Sequence, residues 1–263
     1  THELLARFND MAEIHEFFAP DMPLFGNDFF EPSDLKKYKA DIEKAYAFLN
    51  DELSKTVFIN TIKYKISGKI NYLRDMETER DEIFHNLINL NSQETFLDLG
   101  AYDGDTVQEF QERTKNTYKE IIAVEPDIKN FKKLSLKALV ASLLNICVYN
   151  FECTLNFSTE GNRNSSFKDG GKNSVAVSTI DSICGDKAVS FIKMDVEGSE
   201  KEAIEGGAKT LKTQKPKMIV SAYHKTFDFF TLINQIKEIN PDYKIFLRHQ
   251  PYVPNWETNI IAI

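Results

Sequence analysis

A short acidic segment that contains two glycines, near the middle of the chain, has the residues to hold a cofactor: Asp98, Gly100, Asp103, Gly104 and Asp105. The apolar run Thr95–Leu99 leads into it, as a buried strand would, and a helix is predicted to begin at Thr106. About twenty residues later a second apolar run ends at Glu125. Many α/β proteins bind the adenosine part of a cofactor with a unit in which a strand, a glycine turn, a helix, a second strand and an acid follow one another. The acid accepts hydrogen bonds from the ribose hydroxyls.

The charge of this segment indicates which cofactor it suits. A dinucleotide loop has the spacing G-x-G-x-x-G, because its backbone amides close on a pyrophosphate. Here the spacing is Gly100-x-x-x-Gly104, and Asp98, Asp103 and Asp105 would repel a pyrophosphate. They would attract S-adenosylmethionine, which carries a sulfonium and an ammonium and no phosphate. The alternative is that Asp103 or Asp105 only caps the next helix.

Strands and helices alternate from Thr95 onward, and this alternation predicts the fold. Two β segments without a helix between them end the chain, which indicates an antiparallel hairpin. We therefore predict an α/β fold with the doubly wound seven-stranded sheet of class I methyltransferases and a C-terminal antiparallel hairpin. The predicted strands are Thr95–Leu99, Glu120–Val124, Leu143–Val148, Val189–Met194, Lys217–Ala222, Lys244–Arg248 and Thr258–Ile263. A flexible loop is predicted over Ser158–Ser174 and a helix over about Glu200–Thr213.

Residues 1–92 lack strand alternation and are predicted to be helical. One helix is expected from an N-cap at Ser33 to about Asn50, a second from about Glu52 to Gly68, and a third over about Glu79–Leu90. The predicted division is thus a helical N-terminal region, residues 1–92, and a cofactor-binding domain, residues 93–263. The helical region serves either as a lid over the site or as a plain scaffold.

Composition limits the partners that we expect. The net charge of −8 argues against a nucleic-acid backbone or an anionic membrane surface as partner. There is no apolar run long enough to predict a spanning helix. Three cysteines in separate surroundings indicate a reducing compartment, so we expect a cytoplasmic protein.

The sulfonium of S-adenosylmethionine already activates its methyl group, so a transfer from this cofactor needs an aligned nucleophile and a group that takes the proton of that nucleophile. Candidates follow the ends of predicted strands, where sites of open α/β sheets lie. Asp195 and Glu197 follow one strand, with helix capping as the alternative for both. His224 follows the next strand and is the best general-base candidate, because an imidazole titrates near neutrality, with a structural role as the alternative. Lys193 shares a strand face with Asp195 and could pair with a carboxylate.

Three further residues are candidates for acceptor binding. Lys225 follows His224, and Arg248 and His249 end the penultimate strand. Arg248 has the chemistry to clamp a phosphate or a carboxylate on the acceptor, and a surface ion pair is the alternative. Asp195, Glu197, His224 and His249 together offer nitrogen and oxygen ligands, but no local ligand spacing supports a metal, so none is predicted.

Several motifs resemble the FkbM family of S-adenosylmethionine-dependent methyltransferases over roughly residues 93–263. The most specific has the pattern hydrophobic-Lys-x-Asp-x-Glu-Gly-x-Glu and covers residues 191–200. The stretches Tyr223–Lys225 and Phe246–His249 look like a subset of the family linked with surface-polysaccharide gene clusters. Tyr102 stands where the family usually has Asn. The motifs that carry the resemblance are Phe96–Thr106, Val124–Pro126, Ser178–Ser182 and Phe191–Glu200.

This resemblance implies methyl transfer from S-adenosylmethionine to a hydroxyl, often on a sugar. We therefore expect an O-methyltransferase for a nucleotide-linked sugar or polysaccharide precursor. A lipid, peptide or natural-product hydroxyl, or a non-catalytic binding domain, are the alternatives. By position, the segment from Asp98 to Asp105 would hold the methionine end, Glu125 the ribose, and the loop at Val148–Asn150 would lie near the adenine. The implied cofactor-binding set is Asp98, Gly100, Ala101, Tyr102, Asp103, Gly104, Asp105, Thr106, Glu125, Pro126, Asn150 and Asp195.

Overall fold

The computed structural model describes residues 17–21, 28–157 and 173–263. The chain forms two compact units. The central unit is Asn89–Val220, and the terminal unit is Thr1–Ile88 together with Ser221–Ile263. The sequence-based division into residues 1–92 and 93–263 stays a prediction.

The described helices before the first strand all belong to the terminal unit. They are α1 (Pro32–Lys37), α2 (Lys39–Ala47), α3 (Glu52–Ser67), α4 (Asn71–Arg74) and α5 (Arg80–Glu82), the last continuing as a π-helical turn over Ile83–Ile88.

From Thr95 onward strands and helices alternate, as predicted. The elements are β1 (Thr95–Leu99), α6 (Asp105–Arg113), β2 (Glu120–Val124), α7 (Ile128–Lys137), β3 (Ser142–Leu144), β4 (Ile146–Val148), β5 (Cys153–Phe157), β6 (Asn173–Ser178), α8 (Ile180–Cys184), β7 (Phe191–Met194), α9 (Glu200–Gly206), α10 (Ala208–Thr213), β8 (Lys217–Ser221), α11 (Asp228–Ile239), β9 (Ile245–His249) and β10 (Thr258–Ala262).

Seven of these strands form one sheet in the order β3-β2-β1-β7-β8-β10-β9. The pairs β1–β2, β1–β7, β2–β3 and β7–β8 are parallel, and β9 and β10 are antiparallel. The predicted α/β fold, a doubly wound seven-stranded sheet with a C-terminal antiparallel hairpin, is therefore confirmed.

The middle of the sheet is buried on both faces, as is typical of parallel strands covered by helices. All five residues of β1 are buried. Phe96 of β1 stacks on Phe110 of α6 and on Phe191 of β7, with ring centroids 4.6 and 4.9 Å apart. This packing fixes α6 against β1 and β7, and so fixes the turn between β1 and α6.

The single strand predicted over residues 143–148 is wrong. The chain forms β3 and β4 instead, and they belong to different sheets, since β4 joins a three-stranded sheet in the order β4-β6-β5. The break falls at Asn145, whose Nδ2 donates to the carbonyl oxygens of Glu125 and Pro126 at 2.8 and 3.0 Å. Of the loop predicted over residues 158–174, residues 158–172 lie outside the described residues, and Asn173 begins β6.

Two predicted helices are each divided in two. Ser33 is not an N-cap: α1 begins after Glu31, which forms a capping box with Asp34, and α2 follows separately. The helix predicted over residues 200–213 is divided at Gly206 and Gly207, where a Cβ on Gly206 would lie 2.2 Å from the backbone oxygen of Tyr149.

The helix predicted from Glu52 is confirmed, with Asp51 as its N-cap and Gly68 in the left-handed region at its end. The helix predicted over Glu79–Leu90 is shorter and changes to π-helical geometry at Ile83. Among the helices that the structure describes, none is both long and apolar enough to cross a membrane.

Candidate functional site

The turn after β1 is held against the end of β2 and passes very close to the end of β7. The backbone N–H groups of Gly100 and Ala101 both donate to the carbonyl oxygen of Val124, at 3.0 and 2.9 Å. Gly100 has φ +82°, and a Cβ there would lie 1.8 Å from the backbone oxygen of Asp195. Only glycine fits this position. A side chain would collide with the backbone of Asp195, and the positive φ would strain any other residue.

The rest of the turn is equally constrained. Tyr102 has φ +47° and Gly104 has φ +93°, and the N–H of Gly104 donates to the carbonyl oxygen of Ala101 at 2.8 Å. Gly104 is the N-cap of α6. Capping by Asp103 or Asp105, the alternative raised from the sequence, is therefore not what the structure shows.

Glu125 closes the turn from the side of β2. It is 6% exposed, and its two carboxylate oxygens accept from the backbone N–H groups of Tyr102 (2.9 Å) and Asp127 (2.8 Å). Burial raises the pKa of Glu125 to about 7, although the two backbone hydrogen bonds oppose the shift. Each oxygen keeps a lone pair with which it can accept from a ligand hydroxyl.

A buried cluster of charges lies beneath the turn. Asp98 of β1 is fully buried, and its Oδ2 accepts from the hydroxyl of Thr106. The Nζ atom of Lys193 on β7 lies 3.5 Å from Oδ1 of Asp98 and 3.9 Å from Oδ2 of Asp195, and it donates to the carbonyl oxygen of Gly100 at 2.8 Å. The pairing of Lys193 with a carboxylate, expected from its strand face, is thus observed.

Asp98 keeps unused hydrogen-bonding capacity. Within the described residues, its buried Oδ1 has no hydrogen-bond partner. Burial raises the pKa of Asp98, and the nearby Lys193 ammonium and the Thr106 hydroxyl oppose this shift. The cluster therefore combines two carboxylates with one ammonium, and one of those carboxylates is poised to accept a further hydrogen bond.

These features assemble most of the predicted cofactor-binding residues in the central unit. Such an arrangement suits a small cationic ligand with hydroxyl groups, since the acids outnumber the bases and Glu125 offers acceptors. The residues that meet at this site are Asp98, Gly100, Ala101, Tyr102, Gly104, Thr106, Glu125 and Asp195.

Other residues of the predicted cofactor set have different contacts. The carboxylate of Asp103 pairs with Lys137 of α7. Asp105 is exposed and accepts from the N–H of Thr106 at 2.7 Å. Asn150 is exposed and donates to Glu205 at 2.9 Å, and Pro126 uses its carbonyl oxygen for Asn145. Their part in cofactor binding stays a prediction.

The turn after β7 carries Glu197, which has φ +54° and is exposed. Helix α9 has Ser199 as its N-cap, and the carboxylate that bonds back to the turn belongs to Glu200, whose Oε1 accepts from the N–H of Val196 at 2.9 Å. Glu200 is therefore the residue that the sequence analysis missed at this turn. Its place in the Glu-Gly-x-Glu motif was the signal.

The remaining candidates belong to the terminal unit. His224 follows β8 and is half-buried, with its ring centroid 4.4 Å from that of Tyr223. Lys225 is exposed, and its backbone N–H donates to Asp228 at 2.9 Å, which fixes the start of α11. A catalytic role for His224 and an acceptor contact by Lys225 stay predictions.

Arg248 is not on the surface. It is 2% exposed, its Nη2 donates to Asp51 at 2.6 Å, and its Nη1 donates to Ser54 at 2.9 Å, while Glu82 lies 3.4 Å from Nε. His249 is fully buried, with Nδ1 3.0 Å from the hydroxyl of Thr258. Acceptor binding by either residue would require these contacts to open, so the geometry favours structural roles. The four-residue metal hypothesis stays untested: Asp195 and Glu197 belong to the central unit, and both histidines belong to the terminal unit.

Comparison with known proteins gives a consistent picture. Residues 98–252, well over half of the chain, match the family described as the methyltransferase FkbM domain. A solved structure of methyltransferase FkbM from Methylobacillus flagellatus KT has a TM-score of 0.75 at 24% identity, covering 88% of this chain and 60% of that one. The chain thus spans only 60% of the length of that protein.

Two further solved structures match with lower scores. Precorrin-6y C5,15-methyltransferase from Geobacter metallireducens GS-15 has a TM-score of 0.42 at 14% identity, covering 67% of this chain and 82% of that one. Fibrillarin from Aeropyrum pernix, solved with natively bound S-adenosyl-L-methionine, has a TM-score of 0.43 at 12% identity, covering 69% and 72%. No curated protein matches the sequence.

Proposed function

Since this chain belongs to the FkbM methyltransferase family, we propose that it transfers a methyl group from S-adenosylmethionine to a sugar hydroxyl, in a nucleotide-linked sugar or polysaccharide precursor. The observation that carries this proposal is the acidic site around Asp98 and Glu125, which suits a cationic nucleoside. A cytoplasmic location, expected from the sequence, is part of this proposal.

The residues present fit S-adenosylmethionine. The buried Oδ1 of Asp98, which has no hydrogen-bond partner among the described residues, offers an acceptor for an ammonium group. The carboxylates of Asp98 and Asp195 favour a cation electrostatically, and Glu125 offers acceptors for two ribose hydroxyls. When bound, the cofactor supplies an activated methyl group, and the protein has to position it and exclude water.

An acceptor hydroxyl must lose its proton during the transfer. We assign this task to His224, because its imidazole is half-buried and histidine is the side chain that most often acts as a general base. Asp195 is the second candidate, since its carboxylate belongs to the charge cluster of this site and its Oδ2 lies 3.9 Å from the Nζ atom of Lys193. Glu197 is the third, on an exposed turn. Arg248 and His249 are left out of the proposed acceptor site, because their side chains are engaged within the terminal unit.

The cofactor assignment is tested by calorimetry, which measures the binding of S-adenosylmethionine and of NAD, each with and without EDTA. We expect binding of S-adenosylmethionine alone, unchanged by EDTA, and a loss of at least about tenfold in affinity for Asp98→Asn. The matched control is Asp186→Asn, which removes an exposed carboxylate elsewhere in the central unit. Binding of NAD, or equal loss in both variants, would contradict the assignment.

Transfer of labelled methyl groups to a panel of nucleotide-linked sugars tests the reaction. We expect turnover with at least one sugar, and His224→Asn should lower kcat while cofactor affinity stays unchanged. Methylation of only lipid, peptide or natural-product hydroxyls would correct the acceptor class. Cofactor binding without turnover on any of these acceptors would indicate a non-catalytic domain.

A further inference from the structure

Helix α7 and the turn after it differ in charge from the rest of this acidic chain. The chain has 40 acidic residues, but residues 128–151 include none. Within this stretch, seven exposed residues form a surface that we call the α7 face: Lys129, Lys132, Lys133, Leu136, Lys137, Leu139 and Val140. The average charge of the chain, which argued against an anionic partner, does not describe this face.

The apolar part of the α7 face is the most exposed in the described part of the chain. Leu139, Leu136 and Val140 are 80, 78 and 63% exposed, and the next large apolar side chain, Phe18, is 57% exposed. The opposite side of the helix is buried at Asn130, Leu134 and Ala138. Leu136 is therefore on the outer side of a well-packed helix, and Leu139 and Val140 lie in the turn that follows it. A cluster of this kind in a polar surface commonly marks an interaction site.

The basic part of the α7 face is available to an external anion. Within the residues that the structure describes, Lys129, Lys132 and Lys133 make no ion pair, whereas Lys137 pairs with Asp103. The ammonium of Lys133 lies 5.5 Å from the centroid of the Tyr102 ring and donates to Asn130 at 3.5 Å, so Lys129 and Lys132 are the more accessible cations. Positions three and four apart lie on one side of a helix, so these lysines continue into Leu136 along the same surface. Long lysine stems can extend over apolar surface and place the ammonium at a lipid headgroup.

We propose that the α7 face binds the protein peripherally to an anionic lipid bilayer. Leu136, Leu139 and Val140 would enter the headgroup region, and the lysines would contact lipid phosphates and carboxylates. A second copy of this chain is a poorer occupant, because a symmetric contact would bring two basic faces together. The net negative charge elsewhere would repel the same bilayer, so only the α7 face would bind.

Co-sedimentation with lipid vesicles tests this proposal and does not depend on the methyltransferase assignment. We expect binding to phosphatidylcholine vesicles that contain phosphatidylserine, weakening with salt, and none to phosphatidylcholine alone. The triple variant K129Q/K132Q/K133Q should bind about a hundredfold more weakly. The variant L136S/L139S/V140S should bind at least about tenfold more weakly, while its circular dichroism stays unchanged.

The matched control is K201Q/K209Q/K212Q, which removes three exposed lysines from α9 and α10 and should leave vesicle binding unchanged. Absence of binding by the unaltered protein would overturn the proposal, and so would an equal loss in this control. Light scattering after size exclusion provides a further check. A dimer that becomes a monomer in L136S/L139S/V140S would show that a second copy covers this face.

Discussion

Each of the two units contains a buried cluster of opposite charges. The two clusters differ in whether the central charged group has all of its hydrogen-bonding capacity in use. In the terminal unit the buried centre is a cation, Arg248, whose guanidinium contacts Asp51, Glu82 and Ser54. In the central unit the buried centre is an anion, Asp98, and its Oδ1 has no hydrogen-bond partner among the described residues. The first cluster is satisfied by its own unit, whereas the second keeps capacity for a ligand.

The backbone conformation around the two clusters also differs. Arg248 lies in the regular strand β9. Beside Asp98, the turns carry positive φ angles at Gly100, Tyr102 and Gly104. Residues in sparsely populated conformations persist where the surroundings determine them, and they collect at binding sites. A saturated polar cluster in regular structure therefore indicates a structural role, and an unsaturated one beside strained turns indicates a functional role.

The largest effect that we expect comes from breaking the terminal cluster. Arg248→Ala should lower the free energy of unfolding by about 3 kcal/mol, the lower end for a buried ion pair, because Asp51 and Glu82 are partly exposed and can be hydrated. Burial would raise the pKa of Asp51, but the hydrogen bonds from Arg248 and Ser54 keep it below its ordinary value. Urea unfolding measures the loss.

The control for this variant is Lys44→Gln, which removes an exposed pair with Glu238 and should cost less than about 1 kcal/mol. If the cluster is structural, the folded Arg248→Ala protein keeps its affinity for S-adenosylmethionine. If Arg248→Ala left the stability unchanged and weakened the binding of cofactor or acceptor, Arg248 would have a functional role and not a structural one.

The next effect tests the strained turn of the central unit. Gly100→Ala should weaken S-adenosylmethionine binding by about a hundredfold or more, because the new Cβ would collide with the backbone oxygen of Asp195 and force the turn to move. Gly185→Ala is the matched control: its φ is also positive, at +53°, but the nearest atom to a Cβ is 3.9 Å away. Calorimetry should show near-normal affinity for the control, and equal losses would mean that strain alone matters.

The sheet was predictable because each strand is recognisable from a short apolar run and the order of elements follows a common pattern. The glycine turn was predictable from spacing. The contacts beneath it were not, because Asp98 and Lys193 are register partners on neighbouring strands, and their separation in sequence does not determine register. The burial of Arg248 was also not predictable, since Asp51 lies 197 positions away in the chain.

A smaller effect is expected from the titration of Glu125. Its pKa in the folded protein, about 7, is above the ordinary value of 4.5, so the native state binds more protons than the unfolded state between these values. This contribution is present in full below about pH 4.5 and is lost as the pH rises to about 7.

Urea unfolding of Glu125→Gln across this pH range isolates the contribution. The variant should be less stable overall, because an amide replaces one of two acceptors for backbone N–H groups. Between pH 4.5 and 7 the free energy of unfolding of the unaltered protein should decline, and that of the variant should not. A decline of the same size in both proteins would assign the titration to another group.

The smallest effect that we expect is a coupling energy within an ion pair. Two ion pairs are compared, and each includes an acid of the predicted cofactor-binding segment. The pair of Asp103 and Lys137 is partly exposed, whereas Asp98 beside Lys193 is fully buried. A double-mutant cycle on Asp103 and Lys137 should give a coupling energy of about 0.5 kcal/mol, because water screens the pair. The cycle on Asp98 and Lys193 should give a coupling several times larger, since removing either partner leaves a buried charge. Equal couplings would mean that burial does not distinguish these acids, and the choice of Asp98 over Asp103 as a cofactor-binding residue would then lose its physical basis.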